Sequence, residues 1–168
     1  MRKNILVIVD MQDYFSATKN VVQENIEAIK TAIKNKFFIL VLEFGPKSYG
    51  RTNKSIRDAI GKYEWHDYVT KWSNDGSVEA KDVLDEFDIR PKRIFVTGVN
   101  RSACVRETVI GLTKLYESTP ITILHIATSD SWMAGPKVPN KVYSLPRTAK
   151  KTVNIDRVNV PSLALVST

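Results

Sequence analysis

Apolar residues are concentrated in short runs along most of the chain, and polar residues separate these runs. Each run is rich in Ile, Val and Phe with little polar alternation, which is typical of strands buried on both faces of a parallel sheet. The four clearest runs are Asn4 to Val9, Phe37 to Phe44, Arg93 to Val99 and Ile121 to Ala127. A shorter run, from Tyr68 to Trp72, predicts a further strand.

Helical periodicity fills the stretches between the predicted strands. Two apolar sets recur at the spacing of one helical face: Val22, Ile26, Ile29 and Ile33, and then Val105, Val109, Leu112 and Tyr116. The first set predicts a helix capped by Asn20, and the second a helix that begins near Ser102. Weaker helical patterns follow Asn53 and Ser77. This alternation predicts an α/β fold with three α/β/α layers and a doubly wound, mostly parallel, Rossmann-like sheet.

The chain after Asp130 gives a weaker pattern. Met133 to Lys141 contains one Gly and two Pro and predicts a loop, whereas Val142 to Leu145 and Thr152 to Ile155 predict edge strands. Because no repeat or linker interrupts the sequence, we expect residues 1–168 to form a single domain.

Composition limits the class of protein. The 168 residues contain one Cys, which excludes an internal disulfide, and no apolar run reaches the roughly 18 residues that would span a bilayer. The net charge of +7 is scattered, with its densest stretches at Arg90 to Arg93 and Arg147 to Lys151, and no nucleic-acid motif accompanies them. We therefore expect a cytoplasmic protein with a small-molecule substrate and neither a nucleic-acid nor a membrane partner.

Three polar residues follow predicted strands at the edge of the sheet where open α/β folds bind ligands. Asp10 and Lys71 end two strands, and Cys104 begins the helix after the Arg93 to Val99 strand. Each residue type alone is most often structural, but together the three supply a nucleophile, a base and a cation. A helix N-terminus and a nearby ammonium would both favour the thiolate of a thiol whose ordinary pKa is about 8.5, and a carboxylate could accept its proton.

Three segments resemble the isochorismatase-like cysteine hydrolases, which include nicotinamidases and carbamoyl-amide hydrolases. They are VIVDMQDYF (7–15), KWSNDGS (71–77) and TGVNRSACVRETVIGL (97–112), and the resemblance extends from about Asn4 to Thr128. The second segment departs from the family because the usual Ser-Ala-Phe stretch after the Lys is not present.

The resemblance implies the isochorismatase-like hydrolase fold and a role for each matched residue. Cys104 would be the nucleophile, Asp10 the general base and acid, and Lys71 the cation of the triad. A cis peptide between Val99 and Asn100 would turn an amide N–H toward the oxyanion, together with the N–H of Cys104. Family members are typically oligomers, so we expect a homo-oligomer, either a dimer or a tetramer.

The metal ligands of metal-containing nicotinamidases do not match this sequence. Those enzymes place Asp-x-His and a further His after the second strand, where this chain reads Glu43-Phe44-Gly45-Pro46. With two His in the whole chain, we predict no metal site and no cofactor.

Other residues could complete a substrate pocket. Phe15 and Trp72 follow triad residues closely and could line its wall, although aromatic residues there could equally be packing groups. A substrate carboxylate could bind to Arg101, Arg106 or Lys47.

The sequence thus predicts a cysteine hydrolase that cleaves the C–N bond of a small amide, carbamoyl or ureido-type substrate through a thioester. A catalytically silent binding or scaffold protein with the same fold, and a vinyl-ether hydrolase of the isochorismatase type, are the alternatives. A nucleic-acid binder and a Cys-His enzyme that uses His125 are further alternatives.

Overall fold

In the computed structural model, which describes residues 1–130, 145 and 153–156, six parallel strands form one sheet. The strands are β1 (Arg2–Val9), β2 (Phe38–Phe44), β3 (His66–Lys71), β4 (Arg90–Val99), β5 (Ile121–Ser129) and β6 (Val153–Asp156). Their order is β3-β2-β1-β4-β5-β6. The chain first builds outward from β1 through β2 to β3, then returns to place β4 on the other side of β1. The point where this direction reverses, between β1 and β4, is where such sheets open a crevice for ligands.

Five α-helices lie between the strands in the part of the chain that the structure describes. They are α1 (Val22–Lys34), α2 (Pro46–Tyr49), α3 (Lys54–Ile60), α4 (Ser77–Glu86) and α5 (Arg106–Leu115). A 3-10 turn, Thr18–Asn20, precedes α1, and a π-helical turn, Arg101–Val105, joins β4 to α5. No helix in the described part of the chain is long and apolar enough to cross a membrane.

The helices cover both faces of the sheet, because alternate side chains of each buried strand point to opposite sides. On β1, Ile5 and Val7 pack with α4 and α5, whereas Leu6 and Ile8 pack with α1 and α3. The predicted three-layer, doubly wound fold is therefore confirmed, and all the pairings in the described sheet are parallel.

Several predicted boundaries change. Asn20 does not cap α1: the helix begins after Val21 without a side-chain cap, and the Asn20 amide donates to Ser129 Oγ instead. Asn53, in contrast, accepts from the N–H of Ser55 at the start of α3. The fifth predicted strand begins before Tyr68, because pairing with β2 extends it to His66.

The last predicted elements are described only in part. Strand β6, from Val153 to Asp156, replaces the predicted Thr152 to Ile155 strand at the edge of the sheet. Leu145 is buried in the core but lies in no strand. The predicted loop at 133–141 and the rest of the predicted strand at 142–145 lie outside the described residues.

Gly98 allows β1 and β4 to approach closely beside the sheet edge where Asp10 and Cys104 lie. It pairs with Val9 and has a φ of 109°, in the region that favours glycine. A Cβ at this position would lie 2.0 Å from the carbonyl oxygen of Val9, so no side chain fits without moving one of the two central strands.

Replacing Gly98 by Ala is expected to lower the free energy of unfolding by about 4 kcal/mol, since it combines backbone strain with overlap against β1. Gly50→Ala is the matched control: Gly50 also has a positive φ, of 74°, but a Cβ there meets no atom within 4 Å. That variant should lose only about 1.5 kcal/mol in urea unfolding. Equal losses for the two variants would contradict the close approach.

Candidate active site

Asp10, Lys71 and Cys104 lie together at the carboxyl edge of the sheet. Asp10 directly follows β1 with a φ of 51°, and its N–H donates to the carbonyl of Leu42 on β2 at 2.9 Å. Lys71 is the last residue of β3, and Cys104 lies in the π-helical turn after β4. Asp10 and Lys71 are fully buried, and Cys104 is 7% exposed.

An ion pair joins the two buried charges. Lys71 Nζ lies 2.9 Å from Asp10 Oδ2, although β2 separates β3 from β1 in the sheet. The Lys71 side chain therefore reaches across β2, where its ammonium lies 4.7 Å from the centre of the Phe44 ring. The same ammonium donates to the carbonyl of Ser73 at 2.9 Å, which adds a partner for this desolvated charge.

Three groups lie around the sulfur of Cys104. The thiol donates a hydrogen bond to Asn74 Oδ1 at 3.4 Å. The Asp10 carboxylate and the backbone N–H of Asn100 are close enough to change the pKa of the thiol, which the carboxylate raises and the N–H lowers. The sulfur thus has a carboxylate, a backbone donor and a side-chain amide around it, and all three belong to different elements.

The electrostatics of the site favour a neutral thiol. Burial, followed by the negative charge of Asp10, raises the pKa of Cys104 to about 12, and the opposing effects of Lys71 and the Asn100 N–H are smaller. Burial also raises the pKa of Asp10, against the lowering effects of Lys71 and Cys104. Lys71 acts in the predicted direction and lowers the pKa of the thiol, but burial and the adjacent carboxylate of Asp10 outweigh it, so the net shift disfavours the thiolate.

The turn that carries Cys104 is fastened to the end of β5. Asp130 is fully buried, and its Oδ1 accepts from both the N–H and the hydroxyl of Ser102, at 3.0 and 2.9 Å. The buried Arg101 donates from Nε to Thr128 Oγ1 at 2.8 Å and from Nη2 to the Thr128 carbonyl. Arg101 is thus part of the scaffold, rather than a free cation for a substrate carboxylate.

The peptide bond between Val99 and Asn100 is cis, at the place where the sequence resemblance implied one. The Asn100 carbonyl accepts from the N–H groups of Ala103 and Val105, at 3.2 and 3.0 Å. Its own N–H points toward Cys104, as described above. The N–H of Asn100 thus lies beside the sulfur of Cys104.

The end of β2 does not fit the metal site implied by nicotinamidases. The buried carboxylate of Glu43 accepts from the N–H and the hydroxyl of Thr52, both at 2.8 Å, and Arg51 Nη1 lies 3.5 Å from its second oxygen. A guanidinium beside the only carboxylate at this position opposes binding of a cation. No group of three or more His, Cys, Asp and Glu in the described residues could hold a metal ion.

Aromatic side chains lie beside the triad. Phe15 is half-buried and stacks on Tyr49 of α2, with ring centres 5.8 Å apart and an interplanar angle of 25°. Tyr49 also contacts Phe44, whose ring faces the Lys71 ammonium. Trp72 is 68% exposed and lies against Gly45. These residues form an aromatic border on the β2 side of the site.

Sequence reasoning missed Asn74, Asp130 and Gln12. Gln12 is buried, and its side-chain amide pairs with both the N–H and the carbonyl of Phe44 at the end of β2. Only the positions of these three residues in the sequence could have indicated them. Asp130 directly follows a strand, and Asn74 and Gln12 lie within the segments that carry the family resemblance. Which of several polar residues in such a segment faces the thiol depends on loop geometry.

Several solved structures are similar to this chain. The MAR1 ribonuclease from Caenorhabditis elegans has a TM-score of 0.73 and 14% identity, covering 96% of this chain and 79% of that one. A nicotinamidase from Staphylococcus aureus has a TM-score of 0.66 and 16% identity, covering 79% of this chain and 87% of that one. An N-carbamoylsarcosine amidase from Thermoplasma acidophilum has a TM-score of 0.65 and 16% identity, covering 92% and 96% of the two chains.

No protein-family model matches the sequence, and no curated protein matches it either. The structural similarities confirm the α/β fold that the sequence resemblance implied, so the chain has the isochorismatase-like fold. Asp10, Lys71 and Cys104 therefore lie at the carboxyl edge of the sheet in a fold that this chain shares with these solved structures.

Asp10→Asn is expected to increase the rate at which iodoacetamide alkylates Cys104, by at least about tenfold at pH 8. The substitution removes both effects of Asp10 that raise the thiol pKa and leaves Lys71, which lowers it. Because Cys104 is the only cysteine in the chain, mass spectrometry of the intact protein reports on this site alone.

Asp13→Asn is the control for this measurement, since Asp13 is an exposed carboxylate three residues away that pairs with Asn53. It should alkylate at the wild-type rate. An Asp10→Asn rate at or below that of the wild type would show that Asp10 does not hold the thiol in its neutral form.

Proposed function

We propose that this protein is a cysteine hydrolase that cleaves the C–N bond of a small amide, carbamoyl or ureido-type substrate. One observation carries the proposal: the single cysteine lies beside a buried carboxylate that acts on its pKa, and this carboxylate is paired with a buried lysine at 2.9 Å. Such a set supplies a nucleophile and a group that can both accept and return its proton. The nicotinamidase and the carbamoylsarcosine amidase of similar fold both act, by their names, on amide bonds.

In the proposed mechanism, Asp10 takes the proton of Cys104 as the sulfur attacks the substrate carbonyl. The S–C bond forms, and the carbonyl oxygen becomes an oxyanion that the N–H groups of Asn100 and Cys104 stabilise. The C–N bond then breaks, and Asp10 returns the proton to the leaving nitrogen. A water molecule that gives a proton to Asp10 next attacks the thioester, and the sulfur leaves and recovers that proton.

The neutral resting thiol fits this sequence of steps. A thiol with a pKa of about 12 becomes a nucleophile only when a neighbouring base accepts its proton during the attack. Burial raises the pKa of Asp10, which makes that carboxylate a better proton acceptor than an exposed one. Lys71 keeps the unprotonated form of Asp10 available, since its ammonium lies 2.9 Å from that carboxylate.

A panel of small amides, carbamoyl and ureido compounds tests the proposal. Cys104→Ala is expected to lower turnover of any hydrolysed compound by about a thousandfold or more, because it removes the group that forms the intermediate. Hydroxylamine added to the wild-type reaction should trap the acyl group as a hydroxamate, as it does with a thioester. Full turnover by Cys104→Ala, or no turnover of any compound by the wild type, would contradict the proposal and favour a catalytically silent binding protein.

The net charge of +7 and the similarity to a ribonuclease raise a second possibility, nucleic-acid binding. Against it, the basic residues Arg90, Lys92 and Arg93 lie at the amino end of β4, roughly 20 to 30 Å along the strand from its carboxyl end beside Cys104. We therefore expect no retention on immobilised single-stranded RNA at physiological salt. Retention that falls steeply with added salt would contradict this expectation and favour a nucleic-acid substrate.

A further inference from the structure

Asn74 lies in the loop 72–76 between β3 and α4, and its side chain reaches the nucleophile. The thiol of Cys104 donates to Asn74 Oδ1 at 3.4 Å. Asn74 is exposed, whereas Asp10 is fully buried and Cys104 is 7% exposed. Of these three residues, Asn74 is therefore the one that is exposed to solvent.

The backbone on both sides of Asn74 is fixed. Lys71 Nζ donates to the carbonyl of Ser73 at 2.9 Å, so the same ammonium that pairs with Asp10 holds the residue before Asn74. Thr108 of α5 donates from its hydroxyl to the Asn74 carbonyl at 3.3 Å and accepts from the N–H of Gly76 at 3.1 Å. The position of the Asn74 side chain is therefore set by the triad and by α5.

Helix α5 also leaves room for this loop. Gly111 faces the loop, and a Cβ there would lie 2.1 Å from Ser77 Oγ and 2.5 Å from the carboxylate of Asp75. Asp75 in turn accepts from the N–H of Ser77 at 2.8 Å, which closes the loop onto the start of α4. A group held in this way loses little conformational entropy when a ligand binds to it.

Two acceptors compete for the single proton of the thiol. In the resting structure the thiol donates to Asn74 Oδ1, while Asp10 lies beside the sulfur, and only Asp10 can remove the proton. While the S–H bond points to Asn74 Oδ1, the proton is directed away from the base. A ligand N–H that binds Asn74 Oδ1 would displace the thiol from this acceptor and leave Asp10 as its partner.

We propose that Asn74 is a further catalytic and specificity-determining residue, whose Oδ1 accepts a hydrogen bond from the scissile nitrogen of the substrate and thereby directs the thiol proton to Asp10. The inference rests on the function proposed above and narrows the substrate class. Amide, carbamoyl and ureido groups with at least one N–H on the scissile nitrogen can make this contact. Esters and dialkylated amides cannot, so the site should discriminate against them.

A pair of alkylating reagents tests the contact without a known substrate. Iodoacetamide and methyl iodoacetate both transfer a CH2 carbon to sulfur with loss of iodide and of the thiol proton, but only iodoacetamide carries N–H donors. The ratio of their rates at Cys104, divided by the same ratio for a free small thiol, isolates the effect of the N–H. We expect this normalised ratio to be about fivefold lower in Asn74→Leu than in the wild type, the effect of one hydrogen bond.

Matched variants separate this contact from a general effect on the loop. Asn74→Asp keeps an oxygen acceptor and should keep the wild-type ratio, while both reagents react more slowly because a second carboxylate raises the pKa of Cys104 further. Ser73→Ala removes only the bond from the Ser73 hydroxyl to the Asp75 carbonyl and should leave the ratio unchanged. Asn74→Ala, a smaller change than Leu, should reproduce the loss.

An unchanged ratio in both Asn74→Leu and Asn74→Ala would overturn the inference, even if small amides are hydrolysed. A lowered ratio in these two variants, with the wild-type ratio in Asn74→Asp, would support it. The amide panel with Cys104→Ala tests the hydrolase proposal separately, so failure of that proposal is distinguishable from failure of the contact.

Discussion

The ion pair between Asp10 and Lys71 is the interaction on which the site depends. Both side chains are fully buried, and removal of either one would leave an uncompensated charge in the core, which costs several kcal/mol. The pair also links the groups that take part in the proposed chemistry. Asp10 lies beside the thiol of Cys104, and Lys71 donates to the carbonyl of Ser73 in the loop that carries Asn74. The two members of the pair act on Cys104 in opposite directions. The carboxylate of Asp10 raises the pKa of the thiol, and the ammonium of Lys71 lowers it. Because burial is the largest cause of the raised pKa and the adjacent carboxylate adds to it, the neutral thiol is favoured.

The fold places these groups together through its strand order. Asp10 and Cys104 follow the two neighbouring strands at which the direction of winding reverses, while Lys71 comes from β3, beyond β2, and reaches the pair through the length of its side chain. Gly98 lets the two central strands approach closely just before the π-helical turn that carries Cys104. Asp130 then ties that turn to β5 through Ser102. The site therefore depends on backbone contacts between strands as much as on the three side chains.

The sequence predicted the sheet and the helices well because buried parallel strands and amphipathic helices leave distinct periodicities, as in the β1 and α1 segments. It also predicted that Asp10, Lys71 and Cys104 share one edge, since each follows a strand. It did not predict the protonation of Cys104, because burial and the distance to a carboxylate depend on tertiary packing. Asn74 was missed for a related reason: its contact with the sulfur is set by Thr108 on a different element. The predicted Asn20 cap is wrong because the partner of that side chain, Ser129, is distant in sequence and local spacing gives no sign of it.

The most direct test of the central claim is a titration of the Cys104 thiol followed by thiolate absorbance in the ultraviolet, as the difference between the wild type and Cys104→Ser. With Cys104 the only cysteine, the difference spectrum reports one group. The account predicts no thiolate signal between pH 6 and pH 9, because the buried thiol beside the carboxylate of Asp10 has a pKa of about 12. A full thiolate signal at neutral pH would contradict it, and would mean that Lys71 acts on the sulfur more strongly than Asp10 does.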